Sequence, residues 1–204
     1  MSLKSFPLNP VLNPTKAAIV QAATKVFAQD GIKGATTKEI AKQAGVHETT
    51  LFRHFENKQA LLIEVIRQLS LEMTAALDQT PHEWTENLYH DLLFYARVYQ
   101  QTLIQHNDFI RMLVGEGNRH AEFLQEITQS SNLPFREHLL AYLEQARLLG
   151  QIRPTLQPEI LANILTGMIF AGALRSCLPP GDGLTDNYLQ QCLDVFIQGI
   201  ENNT

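Results

Sequence analysis

Thr36-Thr37-Lys38-Glu39-Ile40-Ala41-Lys42-Gln43-Ala44-Gly45-Val46-His47-Glu48-Thr49-Thr50-Leu51-Phe52-Arg53-His54-Phe55-Glu56-Asn57-Lys58 is the stretch that decides how this chain folds. Thr36 and Glu39 have the spacing of a capping box, so a helix begins at Thr37. Ile40, Ala41 and Ala44 give it a small apolar face. Gly45 stands where that helix must stop, because glycine accepts the left-handed backbone common at helix C-termini. Val46 supplies an apolar plug under the turn. Leu51 and Phe55 are four apart and share an inward face. Thr49 and Arg53 point away from it, with Thr50 beside them, Glu48 and Phe52 on one flank, and His47 at the start. Asn57 is a cap for the next helix, with Lys58 in its first turn. Two short helices, a tight glycine turn and a third helix start make a helix-turn-helix, and its polar outward face suits a DNA major groove.

The flanks extend the pattern. Upstream, Ile19, Ala22, Ala23 and Phe27 recur at helical spacing and Gly31 closes that helix. Downstream, Leu61, Leu62, Val65, Ile66 and Leu69 continue a helix after Lys58. The whole, namely Ala22-Ala23 with Phe27 and Gly31, then Thr37, Ile40-Ala41 and Ala44-Gly45-Val46, then Leu51-Phe52, Phe55 and Lys58, resembles the N-terminal domain of the TetR family of transcriptional regulators. The resemblance covers about the first third of the chain. It implies an all-α protein with a flexible arm over 1–14, a helix-turn-helix DNA-binding domain over 15–60 and a helical ligand-binding and dimerisation bundle over 61–204.

The candidate DNA contacts are Thr36, Thr37, Lys38, His47, Glu48, Thr49, Thr50, Phe52, Arg53, His54 and Lys58. Lys58, near a helix N-terminus, is expected at a phosphate, and Arg53 at base or backbone. Three positions depart from the common family pattern. Phe52 replaces a tyrosine and loses its hydroxyl, His47 replaces a serine and caps more weakly, and Glu48 is acidic where lysine or another polar residue is frequent. For Glu48 two roles stand open: acceptance from a cytosine amino group, or stabilisation of the helix N-terminus.

The charge distribution agrees with a reader of phosphate. The 204 residues carry a net charge of −5. Residues 1–64 nevertheless balance at +3 and residues 65–204 at −8. All seven lysines lie at or before Lys58. A basic head on an acidic body presents one favourable face to a polyanion. Cys177 and Cys192 form no CxxC pattern, so the expectation is two free, buried thiols in a reducing cytoplasm. Pro7, Pro10 and Pro14 interrupt the first residues, which do not read as a signal peptide.

No useful strand alternation occurs, and the remainder reads as helices. They are expected over 58–77, 82–105, 108–114, 121–129, 135–149, 158–178 and 185–199, with breaks at Thr80-Pro81, Gly115 and Gly117, 130–134, Gly150, and 179–183. The penultimate helix is apolar nearly all round, with Ile160, Leu161, Ile164, Leu165, Met168, Ile169 and Phe170, and small at Gly167, Ala171, Gly172 and Ala173. Such a helix is buried on both sides. It is too short and too interrupted for a membrane span. With the last helix, which carries Leu189, Leu193, Phe196 and Ile200 on one face, it reads as half of a four-helix homodimer interface, as the resemblance also implies.

No metal or cofactor is expected. The seven histidines show no HxxxH, HExxH or Cys/His clustering. Gly115-Glu116-Gly117-Asn118 follows no strand and lacks a phosphate-loop lysine. The resemblance implies an unidentified small-molecule effector inside the bundle. The candidate lining residues are Trp84, Tyr95, Tyr99, Phe109, Phe123, Tyr142 and Phe170, with Arg111, Glu116 and His120 to orient a ligand. The reading is a ligand-responsive repressor that binds a palindromic operator on double-stranded DNA, with an enzyme or a helical small-molecule-binding adaptor lacking DNA affinity as the alternatives.

Overall fold

A computed structural model describes residues 13–79, 85, 87–117, 134–176 and 185–202. Among them are nine helices: α1 (Pro14–Gly34), α2 (Thr37–Gln43), α3 (Glu48–His54), α4 (Lys58–Gln79), α5 (Leu88–Gln105), α6 (Asn107–Gly117), α7 (Pro134–Leu148), α8 (Pro158–Ser176) and α9 (Asp186–Ile200). The all-α expectation holds. Apart from one isolated bridge between Ile152 and Glu201, the described residues form no β-pairing. The arm before residue 13, the helix expected over 121–129 and the loop over 179–183 lie outside the described residues.

Local chemistry sets the helix ends. The Asn13 side chain accepts from the Thr15 amide at 2.9 Å, and Pro14 occupies the first turn of α1, where a missing N–H costs nothing. Gly31, at φ 72°, leaves the helical path inside α1, as its residue type foretold. Thr36 caps α2 by accepting from Glu39 N at 3.1 Å. At the other end Val46 N donates to Ala41 O and Gly45 N to Lys42 O, with Gly45 at φ 69°. That pair of bonds is a Schellman stop and sets the angle of the turn into α3. His47 makes no side-chain cap bond, in line with the weak cap expected of it. Asn57 caps α4 by accepting from Ala60 N at 2.8 Å.

The helix expected from residue 82 instead begins at Leu88. Asn87 Oδ1 accepts from His90 N at 2.9 Å, and Thr85 Oγ1 accepts from Asn87 N at 3.2 Å. These side chains satisfy amides that an earlier helix start would have used, and so they move the boundary.

The helices group into two compact units. The head holds α1, α2, α3, α4 up to Leu71, and α6. Ile19, Ala23, Phe27, Ile40, Leu51, Leu61, Leu62 and Val65 form its core, completed by Phe109 and Met112. The expected division after residue 60 thus differs from the packing. Leu61, Leu62 and Val65 are fully buried in the head, and α6 lies along α1. The body holds α4 from Glu72 onward, α5, α7, α8 and α9, with α5 and α7 both packed on α8. Leu92, Leu139, Leu143, Leu165, Leu189 and Leu193 are buried in it. After α7 the chain is pinned to the end of α9, with Arg153 N donating to Ile200 O at 2.9 Å and Asn202 N to Gln151 O at 3.0 Å.

Candidate nucleic-acid interface

α3 separates an inner from an outer surface as its sequence demands. Leu51 is fully buried and Phe55, just past the helix, nearly so. On the outside His47, Thr49, Phe52 and Arg53 are exposed, and Thr50 is half-buried. Phe52 is 48% exposed, a large apolar surface to leave on a small head. Thr36 and Lys38, at the start of α2, are also exposed. His54 is half-buried and its Nε2 is enclosed, with no hydrogen-bond partner among the described residues. That nitrogen is therefore turned away from the reading surface.

Two candidates are held in ways the sequence did not announce. The Thr37 hydroxyl, on the first turn of α2, donates to Oε1 of Glu48, on the first turn of α3, at 2.5 Å. The bond crosses the turn and fixes the Glu48 carboxylate against the head. Lys58, expected at a phosphate, is tied to the end of α1. Its ammonium donates to Ala35 O at 2.9 Å and Lys33 O at 3.5 Å, and so caps the carbonyl end of α1.

A second network braces the head. Glu64 on α4 pairs with Lys16 on α1 at 3.3 Å and with Arg67 at 2.6 Å. Lys16 Nζ also lies 5.5 Å from the centre of the Phe55 ring. Burial opposes ionisation of Glu64. The Arg67 hydrogen bond and the charges of Arg67 and Lys16 outweigh it and hold the carboxyl below its ordinary value.

In the body the structure links three of the aromatic candidates, Tyr95, Tyr99 and Tyr142, and brings the Tyr142 hydroxyl to a buried acid. Asp91 is fully buried. Its Oδ2 accepts from the Tyr142 hydroxyl at 3.0 Å, and its Oδ1 accepts from Thr85 N and Oγ1, each at 3.3 Å. Tyr95 packs on Tyr142 with ring centres 5.7 Å apart and edge-on against Phe135 at 5.9 Å, while its hydroxyl hydrogen-bonds to His138. Tyr99 stacks on Phe135 at 5.6 Å. Burial, then the Asp91 charge and hydrogen bond, push the Tyr142 hydroxyl well above its ordinary pKa. Burial alone takes Tyr99 up to about 12. His138 is pushed below its ordinary 6.5 by burial, against the opposing charge of Asp78.

Phe170 on α8 is half-buried. Phe109 and Arg111 are not part of this aromatic group. Both belong to the head, Phe109 in its core and Arg111 exposed on α6. Glu116 lies in the last turn of α6, but its side chain is not among those described, and Trp84, His120 and Phe123 lie outside the described residues. Asp91 and His138 were not among the candidates. A signal for Asp91 was present, since a charged residue falls on the apolar stripe of Leu88, Leu92 and Tyr95. Cys192 is free and half-buried rather than buried. Among the described residues no group of three His, Cys, Asp or Glu could hold a metal ion, and no helix is long and apolar enough to cross a membrane.

A capped positioning helix, a glycine stop and a second helix with its polar side outward define a helix-turn-helix DNA-binding protein. Residues 19–65 match the family model described as bacterial regulatory proteins, tetR family. That segment is similar to the DNA-binding domain of TetR-family transcriptional regulators. The chain is 28% identical over 193 residues to the HTH-type transcriptional regulator YvkB of Bacillus subtilis (strain 168), covering 93% of this chain and 98% of that one. It is 22% identical over 193 residues to the HTH-type transcriptional repressor DhaR of Mycobacterium sp. (strain GP1), covering 93% and 96%. Among solved structures, a TetR family transcription regulator from Marinobacter aquaeolei VT8 superposes with a TM-score of 0.70 at 21% identity, covering 93% and 97%. SmeT, the repressor of the Stenotrophomonas maltophilia multidrug efflux pump SmeDEF, superposes with a TM-score of 0.66 at 21% identity, covering 94% of each chain.

Proposed function

We propose that this regulator is a cytoplasmic, ligand-responsive repressor that binds a palindromic operator as a homodimer. The observation that carries the DNA reading is α3, where a fully buried Leu51 is backed by exposed Thr49, Phe52 and Arg53. One reading helix per chain makes a two-fold site natural, with half-sites roughly 34–36 Å apart. The dimer reading is supported by the outer faces of α8 and α9. Ile160 is 52%, Ile164 46% and Val195 68% exposed on a single chain. On α8 the two isoleucines lie beside exposed Gly167 and Ala171, an apolar outer strip on a helix whose inner face is already buried. Tyr188 holds α8 and α9 together, its hydroxyl donating to Met168 O at 2.7 Å.

The effector is a small molecule bound in the body, and it lowers operator affinity. A coupling of roughly 1–3 kcal/mol is enough for a usable switch. The relatives that are named repressors, DhaR and SmeT, favour repression over activation. The test is selection of duplexes from a randomised pool, followed by anisotropy titration and sedimentation of the complex. A retained palindrome bound by two chains supports the proposal. A pool with no enriched sequence, or a monomer at micromolar concentration, sinks it.

A further inference from the structure

α3 carries two side chains of unusual chemistry for a helix that meets DNA: Glu48, half-buried in its first turn, and Phe52, exposed on its outer face. They are four residues apart and therefore neighbours on one side of the helix. We propose that they act as a reading pair, in which Glu48, held by Thr37, accepts a hydrogen bond from the amino group of a cytosine, and Phe52 packs on the methyl group of a thymine one or two base pairs away. This rests on the proposal that α3 enters the major groove.

A carboxylate near phosphate is repelled, so it adds nothing to general affinity. What it adds is a pure acceptor. In the major groove cytosine offers only an amino donor, guanine offers two acceptors, and thymine an acceptor and a methyl. Adenine pairs its amino group with an acceptor nitrogen that faces the second carboxylate oxygen unfavourably. Cytosine is the base that matches. The Thr37 hydroxyl takes one position on Oε1 at 2.5 Å and leaves the carboxylate with acceptor capacity to spare. The same bond fixes the rotamer before DNA arrives, so less side-chain entropy is lost on binding.

Phe52 has no polar atom, yet 48% of it is exposed on the surface that Thr49 and Arg53 share. The apolar feature that a major groove offers is the thymine methyl. One helical turn separates the two side chains by about 5.4 Å along the axis. Base pairs are spaced by about 3.4 Å, which places the two contacts one or two steps apart.

The test uses the full chain and the duplex it selects. Each thymine of one half-site is replaced in turn by deoxyuridine, which removes the methyl and keeps every hydrogen-bonding group. At one thymine the affinity should fall roughly fourfold, the size expected for one buried methyl, and Phe52→Ala should abolish that difference. At a cytosine next to it or one further away, Glu48→Ala should erase a preference of at least about fivefold. Glu48→Gln should shift that preference toward adenine, which a carboxamide reads with both its donor and its acceptor. Thr37→Val should weaken the same preference, and Thr37→Ser should restore it. Uniform tolerance of deoxyuridine overturns the role of Phe52. An unchanged preference profile in Glu48→Ala, with or without a lower melting temperature, overturns that of Glu48. Both results leave the DNA-binding reading standing, whereas a pool from which no duplex is enriched removes that reading and this pair with it.

Discussion

The Lys58 ammonium lies 2.9 Å from the carbonyl oxygen of Ala35, a residue 23 positions earlier in the chain. The first turn of α4 is thereby tied to the segment that leads into α2. Charge-assisted bonds of this kind contribute about 1.5–3 kcal/mol when well enclosed, and less where solvent reaches them. Lys58 is half-buried. Lys58→Ala should therefore destabilise the head by about 1–2 kcal/mol. A thermal melt of the variant checks this, and an unchanged midpoint would show that the clamp contributes nothing in solution.

Acidification should loosen the protein in two stages. His138 has a folded pKa below its ordinary 6.5, so the unfolded chain binds more protons as pH falls below that value, and stability declines there. Glu64 has a folded pKa below its ordinary 4.5, so its contribution is complete above that value and is lost as pH falls through the folded one. Glu64→Gln should remove the second stage and lower stability at neutral pH by about 1 kcal/mol or less. Denaturant titrations at stepped pH would show both stages. A Glu64→Gln profile that still tracks the wild type below pH 4.5 would contradict the assignment.

Removing the Tyr142 hydroxyl takes one hydrogen bond from a fully buried carboxylate. Tyr142→Phe should cost about 1–3 kcal/mol. In an Asp91→Asn background the same change should cost less, because the acceptor is no longer charged. The double-mutant cycle measures the difference directly, and strict additivity would mean that the two groups do not interact.

A Cβ built on Gly167 of α8 meets nothing within 4 Å in a single chain. Gly167→Leu should thus leave the monomer fold intact, and it gains up to about 1 kcal/mol in helix propensity. If a partner's helices approach this surface, the same leucine should weaken dimerisation at least about tenfold, since overpacking a close contact costs about 1–3 kcal/mol. Sedimentation equilibrium on both proteins decides the matter: equal dimer affinities would move the interface elsewhere.

The helix-turn-helix was legible because each of its signals is local. Thr36 reaches Glu39, Gly45 closes its own turn, and Leu51 and Phe55 share a face at a spacing of four. Backbone geometry alone converts such spacings into neighbours. The body was legible as helices, and less so in its boundaries. Capping by Asn87, with Thr85 folded back onto Asp91, moved the start of α5 past where apolar periodicity alone had put it.

By itself, then, the sequence determined the helical class, the reading motif, its outward face and the apolar character of α8. These follow from propensity, capping and periodicity within about twenty residues. Only the tertiary structure decided what long-range packing brings together. It sent Phe109 into the head core while Tyr95 packed on Tyr142 and the Tyr142 hydroxyl met Asp91, and it turned Lys58 onto Ala35 and Thr37 onto Glu48. An aromatic or charged residue type states that a side chain needs apolar cover or a partner. Which one it meets depends on how distant helices pack, and residue spacing carries no record of that.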